Sequence, residues 1–203
     1  MAVATLALPA PASAAPVVRA TSRDATVPWG TVLVPGATWA GTQIAGMGDV
    51  NVYANGDGNQ DRYGTYGLSY ECVELAARWA AVRYGEQIWW NVQAAYQMWD
   101  RGPQLKIPFR QLPNGGALAP QFGDLLVFGP TASAQYGHVA VVSGTRPGSV
   151  DIVEQNWSVN SPTGKASLPI SGTTMPSRYG LPIIGWLRSS TEMTGYWMLG
   201  GDG

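Results

Sequence analysis

S-Y-E-C-V-E-L-A-A-R-W-A-A-V-R-Y-G, residues 69–85, is the stretch whose reading decides the fold. Cys72, Leu75, Ala76, Trp79, Ala80 and Val82 recur at roughly helical spacing, which predicts a helix with an apolar face. Ser69 can cap its start and Gly85 can end it. A second helix fits Trp89 to Trp99, with Val92, Ala95, Tyr96 and Trp99 along one stripe. Asp100-Arg101-Gly102-Pro103 stops it. Beyond about residue 105 the period changes. Asp124 to Phe128 reads as a short buried strand and Gly137 to Ser143 as another. Arg146 to Ser149 is a turn signal, Val150 to Trp157 the return strand, and Ile183 to Leu187 a last strand. Two helices followed by sequential strands predict an α+β fold, not a parallel α/β sheet. Upstream, residues 27–67 are rich in Gly, Pro, Asn and Thr and read as loops and short extended pieces.

Composition narrows the function classes. The chain has 203 residues, which is one ordinary domain with residues left for tails. Lys plus Arg is 12 against 13 Asp plus Glu, a net charge of −1, so the broad basic face of a nucleic-acid binder is excluded. Only 12% of residues are charged, about half the usual share. With 45% hydrophobic residues the chain still has the material for a core. Low charge with abundant Gly, Trp and Tyr points to a secreted or wall-associated protein. One Cys excludes an internal disulfide, and one Cys with one His excludes a thiolate zinc cluster or an HExxH site.

The first fifteen residues are small and apolar, with Ala-Ser-Ala at 12–14, and read as a secretory signal remnant or apolar leader. Residues 16–40 are assigned to a linker, 41–190 to the domain and 191–203 to a tail. The tail's G-Y-W at 195–197 resembles the opening of a surface-protein repeat, but one copy is not a repeat. No apolar run is long enough to span a membrane.

The reactive residues are few and suggestively placed. Cys72 falls in the first turn of the predicted helix, where the dipole and unpaired backbone N–H groups favour a thiolate. His138 opens a strand. Glu154 and Asn156 lie two apart on the next strand, so both point to one face. In a hairpin around 145–149, His138 faces Asn156 directly and Glu154 diagonally. A shift of two residues puts Glu154 opposite instead. A nucleophile, a base and an orienting group is the logic of thiol acyl transfer. Taken singly, each has a plainer reading: a small buried Cys, a structural His, a solvated Glu, turn chemistry at Asn156. Trp89, Trp90, Tyr96 and Trp99, at helical spacing, are assigned to the core rather than to glycan stacking. Asp57, Asn59 and Asp61 form a D-x-N-x-D run. Arg62 and Leu68 break the calcium-loop pattern, so the run is read as a polar loop and no metal or cofactor is expected.

Y-E-C-V-E-L-A-A-R-W (70–79), F-G-D-L-L-V-F (122–128), Y-G-H-V-A-V-V (136–142) and I-V-E-Q-N-W (152–157) together resemble the CHAP family of cysteine, histidine-dependent amidohydrolases and peptidases. V-Y-A-N-G (52–56) and I-I-G-W-L-R (183–188) fit the same pattern. The resemblance is closest to the branch with the amidase half of glutathionylspermidine synthetase/amidase. It implies a papain-like fold, helices packed on an antiparallel sheet, over roughly residues 40–190. It maps the nucleophile onto Cys72, the base onto His138 and the third member onto Glu154, with Asn156 as a fourth polar residue. The oxyanion would take the Cys72 N–H and a second donor. Where relatives often carry Gln before the Cys, this chain has Glu71, which cannot donate when ionised. Ser69 and Tyr70 are the nearby alternatives. The implied substrate is an amide bond of peptidoglycan. The alternatives are a small γ-glutamyl or polyamine amide such as glutathionylspermidine, and a non-catalytic wall-binding module. The expected protein is secreted and monomeric, without a nucleic-acid partner.

Overall fold

Leu125-Leu126-Val127-Phe128, strand β6, is buried at every position, because it lies inside a sheet covered on both faces. The protein is described by a computed structural model over residues 27–40, 50–56, 62–84, 90–158 and 163–197. The signal-like leader, the D-x-N-x-D run, Gly85, Trp89 and the last six residues lie outside these. Among the described residues no helix is long and apolar enough to cross a membrane.

The chain is α+β. Short pieces come first: β1 (Val32–Val34), a single helical turn α1 (Gly36–Trp39), β2 (Val52–Tyr53), β3 (Tyr63–Gly64) and β4 (Gly67–Leu68). Helix α2 (Cys72–Tyr84) follows, then α3 (Met98–Arg101) between two 3₁₀ turns, Ala95–Gln97 and Gly102–Gln104. The main sheet uses β5 (Phe109–Pro113), β6 (Leu125–Phe128), β7 (His138–Arg146), β8 (Ser149–Val153), β9 (Lys165–Pro169) and β10 (Ile183–Ser189). Its order is β5-β10-β6-β7-β8-β9, antiparallel at each pairing. Helix α4 (Ser190–Trp197) continues directly from β10.

Alternation along the strands sorts the core into two layers. Leu125, Val127, Val139, Val141 and Val153 face α2 and pack with Leu75, Ala76 and Trp79. Leu126, Phe128, Ala140, Val142 and Ile152 face the other way, onto Leu168, Met175, Leu181 and Trp186. Helix α2 is buried through all of 74–81, so its two charged residues there, Glu74 and Arg78, pair with each other. Trp79 sits at its centre, with its indole N–H donating to the Gly123 carbonyl at 2.9 Å. Gly123 has φ +88, and a Cβ there would meet the Trp79 ring at 3.1 Å.

Several sequence expectations shift. Helix α2 starts at Cys72, not Ser69, because Tyr70 takes φ +65 and Glu71 supplies the first helical acceptor, to the Leu75 N–H at 3.2 Å. The second helix is shorter and later than 89–99. Asn91 has φ +50, and the Gln97 side chain takes the N–H groups of Gln93 and Ala94, so the turn begins only at Ala95. Its 3₁₀ continuation runs through Pro103 instead of stopping there. The return strand ends at Val153, since Asn156 adopts φ +52. Residues 27–40, assigned to a linker, are partly core: Val34, Trp39 and Ala40 are buried, and the Trp39 ring lies 5.0 Å from that of Trp79. The sequence pattern did not announce β5, β9 or α4.

One ion pair stands inside the fold away from the reactive residues. Arg188 of β10 grips Asp124 through both carboxylate oxygens, at 2.9 and 2.7 Å. Burial still pushes the Asp124 carboxyl upward against that pull. Arg188→Leu leaves a buried carboxylate without its cation. It is expected to cost about 3–5 kcal/mol, read as a lower midpoint in urea unfolding at an unchanged slope.

Candidate active site

Cys72 is the first residue of α2 and remains partly exposed, while its flank packs on the helix-side core. His138 is the first residue of β7 and is 4% exposed. The register Val141↔Val153 and Val142↔Ile152, carried to the strand ends, sets position 156 opposite His138 and 154 diagonal to it. The diagonal residue takes the contact. His138 Nε2 lies 3.0 Å from Glu154 Oε2, and Glu154 is 3% exposed. Asn156 is drawn away by its left-handed backbone, and its amide donates to Glu71 Oε2 at 2.7 Å. Of the four residues expected at the site, Cys72, His138 and Glu154 come together. Asn156 joins through Glu71 instead.

With Nε2 held by Glu154, Nδ1 is the ring nitrogen left for the thiol. Burial pushes the His138 imidazole down. Its charge interaction and hydrogen bond with Cys72, and those with Glu154, more than reverse this and bring it up to about 9. Burial pushes Glu154 up, and the hydrogen bonds and charges of His138 and Arg178 bring it below the usual carboxylate range. The site is therefore built to hold an imidazolium against an ionised carboxylate.

Sequence reasoning missed two parts of the site. The first is Arg178, which donates to Glu154 Oε2 at 2.6 Å and Oε1 at 2.8 Å. It lies 24 residues downstream, in an irregular segment without periodic signal. The second is Gln155, which is fully buried. Its amide nitrogen donates to the Glu71 carbonyl at 3.0 Å and to Glu74 Oε2 at 2.9 Å. Its oxygen accepts the Tyr53 N–H at 2.9 Å and Arg78 Nη2 at 3.1 Å. A buried amide of this kind is tolerated because its donors and acceptors are all engaged. Its signal was in view as the I-V-E-Q-N-W run, where a Gln between two apolar strand residues and a Trp asks for a partner.

Glu71 accepts at both oxygens, from Asn55 Nδ2 at 2.9 Å and Asn156 Nδ2 at 2.7 Å. Asn55 also donates to the Tyr70 carbonyl at 3.2 Å. The rings of Trp29 and Tyr53 pack at a tilt against that of Tyr70 beside this corner, with centroids 4.4 and 4.7 Å from it. Trp90 is buried against Phe109, as a core residue.

Residues 60–156 match the family model described as the CHAP domain. Two similar solved structures are of Ly7917. One, "with the hydrolyzing product of MDP", is 18% identical, with a TM-score of 0.40, and covers 60% of this chain and 54% of that one. The other is 16% identical, with a TM-score of 0.41, and covers 64% of this chain and 58% of that one. The present chain thus spans between 54% and 58% of the length of those structures. No curated protein matches the chain.

Because the chain holds one His, its imidazole resonances report one residue. Titration by NMR is expected to give a midpoint near 9, and Cys72→Ala is expected to move it down. The folded value lies above the unfolded one of about 6.5. The stability gained from the charged ring is therefore full below about 6.5 and lost as the pH rises through about 9. A wild-type midpoint at or below 6.5 would contradict the geometry.

Proposed function

Since residues 60–156 form a CHAP domain, we propose that this protein is a secreted cysteine hydrolase cutting amide bonds of peptidoglycan. The observation that carries the reading is a thiol at the tip of α2, near enough to the His138 imidazole to favour its charged form, with the ring's Nε2 held by a buried carboxylate.

The chemistry runs through Cys72 as nucleophile. Its thiolate attacks the amide carbonyl, and the tetrahedral oxyanion lies at the N-terminus of α2, where backbone N–H groups have no partner within the helix. His138, charged by the geometry described above, delivers a proton to the leaving amine. The acyl group stays on Cys72 as a thioester. Neutral His138 then takes a proton from water as it attacks, and the thioester breaks to release acid and thiolate. Glu154 holds the ring in the tautomer that this exchange needs. Glu71 cannot be the second oxyanion donor, since each of its oxygens already accepts an amide. Ser69 and Tyr70 remain the candidates next to the nucleophile.

The domain match and the composition support this substrate class. Low net charge and an aromatic corner beside the thiol suit a neutral, glycan-linked peptide better than a nucleic acid or a lipid surface. Reading the apolar leader as a secretory signal supports a location outside the cytoplasm, away from glutathionylspermidine.

Cys72→Ala is expected to lower cell-wall clearing and amine release by about 10⁴-fold or more, with the fold retained by circular dichroism. Mass spectrometry of the products identifies the bond. Undiminished activity in that variant ends the reading, and release of spermidine from glutathionylspermidine without action on muropeptides moves it to the small-amide class.

A further inference from the structure

We infer that Arg178 is a positioning residue for the reaction proposed above, holding both oxygens of Glu154 so that the carboxylate cannot turn away from the His138 ring. The inference rests on the reading of Cys72 and His138 as nucleophile and base, and it goes beyond the matched segment 60–156.

A carboxylate that touched only His138 would be free about its last torsion, which is broad. Here Oε2 takes both His138 Nε2 at 3.0 Å and Arg178 Nη1 at 2.6 Å, while Oε1 takes Arg178 Nη2 at 2.8 Å. The planar fork of a guanidinium matches the plane of a carboxylate, so rotation breaks two bonds at once. Lysine, a single point of charge, cannot impose this plane.

The guanidinium is itself held. It lies over the Trp157 ring at 3.8 Å, and its side chain is 11% exposed. The Trp157 ring meets the His138 ring nearly edge-on at 4.9 Å. His138, Glu154, Arg178 and Trp157 therefore close a circuit in which each group contacts the next. The backbone under Arg178 is fixed by reciprocal bonds with Leu181, both 3.0 Å. These close a turn through Tyr179 at φ +49 and Gly180 at φ +87. Tyrosine seldom adopts that conformation, so the tight turn is kept against local preference.

The other buried arginine–carboxylate pairs, Arg78–Glu74 and Arg188–Asp124, show what a structural role looks like. Neither carboxylate touches His138 or Cys72 in the contacts described. Glu154 does. The charged or titratable groups against Glu154 are His138 of β7 and Arg178, with Cys72 of α2 behind the imidazole. Removing Arg178 makes Glu154 easier to protonate. A protonated Glu154 no longer balances the imidazolium, so the charged ring loses support on the acid side.

The test reads Cys72 alkylation by iodoacetamide against pH in the full chain, beside the melting temperature at each pH. It needs no substrate. Wild type is expected to alkylate much faster than an ordinary thiol at pH 6. In Arg178→Met the acid limb is expected to rise by about one pH unit, with roughly a tenfold slower reaction at pH 6. Arg178→Lys, which keeps the charge but not the fork, is expected to fall between. A folded Arg178→Met with the wild-type profile overturns the inference. If that variant does not fold, a wild-type profile in Arg178→Lys overturns it equally. A wild-type thiol that reacts like an ordinary one overturns the Cys72–His138 reading first.

Discussion

The side chain of Gln155 is the joint on which the site turns. It is fully buried at the end of β8, with both ends of its amide engaged. Those partners are the last carbonyl before α2, the Glu74–Arg78 pair within α2, and the backbone of β2. Cys72 comes from the helix and His138 from the sheet, so their distance depends on how one layer sits on the other. Apolar packing alone sets that within the tolerance of a core, since such contacts have little direction. A buried amide sets it more sharply, because a slip of the helix would strand polar groups away from water, at about 1–3 kcal/mol each.

Three successive side chains share this work. Glu154 reaches back to His138, Gln155 reaches under the first turn of α2, and Asn156 reaches the Glu71 carboxylate. A continuing strand would have sent 154 and 156 to one face. The left-handed backbone at Asn156 breaks that alternation and lets the third residue turn to the helix tip. Tyr70, also left-handed, sits on the opposite side of the same junction. Non-glycine residues in this region cost energy and persist where the surroundings hold them. Here the holders are visible: Asn55 on the Tyr70 carbonyl, and Glu71 on the Asn156 amide.

Much of this was legible in the order of residues. The α+β class, helix α2, the four strands around β6–β8 and β10, and the meeting of Cys72 with His138 and Glu154 followed from period, turn signals and family resemblance. What escaped has a common physical form. Strands β5 and β9 lie at the sheet edges, bury only two residues and one residue respectively, and end in Pro, so they carry few apolar residues to betray them. The placement of Asn156 directly opposite His138 assumed a strand that runs on. Arg178 belongs to no periodic segment, and nothing local ties it to a carboxylate on another strand. Long-range polar contacts leave no spacing to read. They show only as a demand: a buried Glu in an apolar run needs cations from somewhere in the chain.

That demand also accounts for the unusual charge balance. Few residues of this protein are charged, yet three of its arginines are spent on interior carboxylates, Glu74, Asp124 and Glu154. Ion pairs inside a core seldom add stability over apolar packing of the same volume. Their value lies in direction. One of the three lies within α2, and one ties β10 to the residue before β6. The third shares its carboxylate with the His138 imidazole, so the same interaction that pairs Arg178 also favours the charged form of that ring. Cys72 is left partly open to solvent while His138 is withdrawn from it. In the reaction we propose, an approaching carbonyl therefore meets the sulfur first, with the proton for its leaving amine held behind that sulfur on the His138 ring.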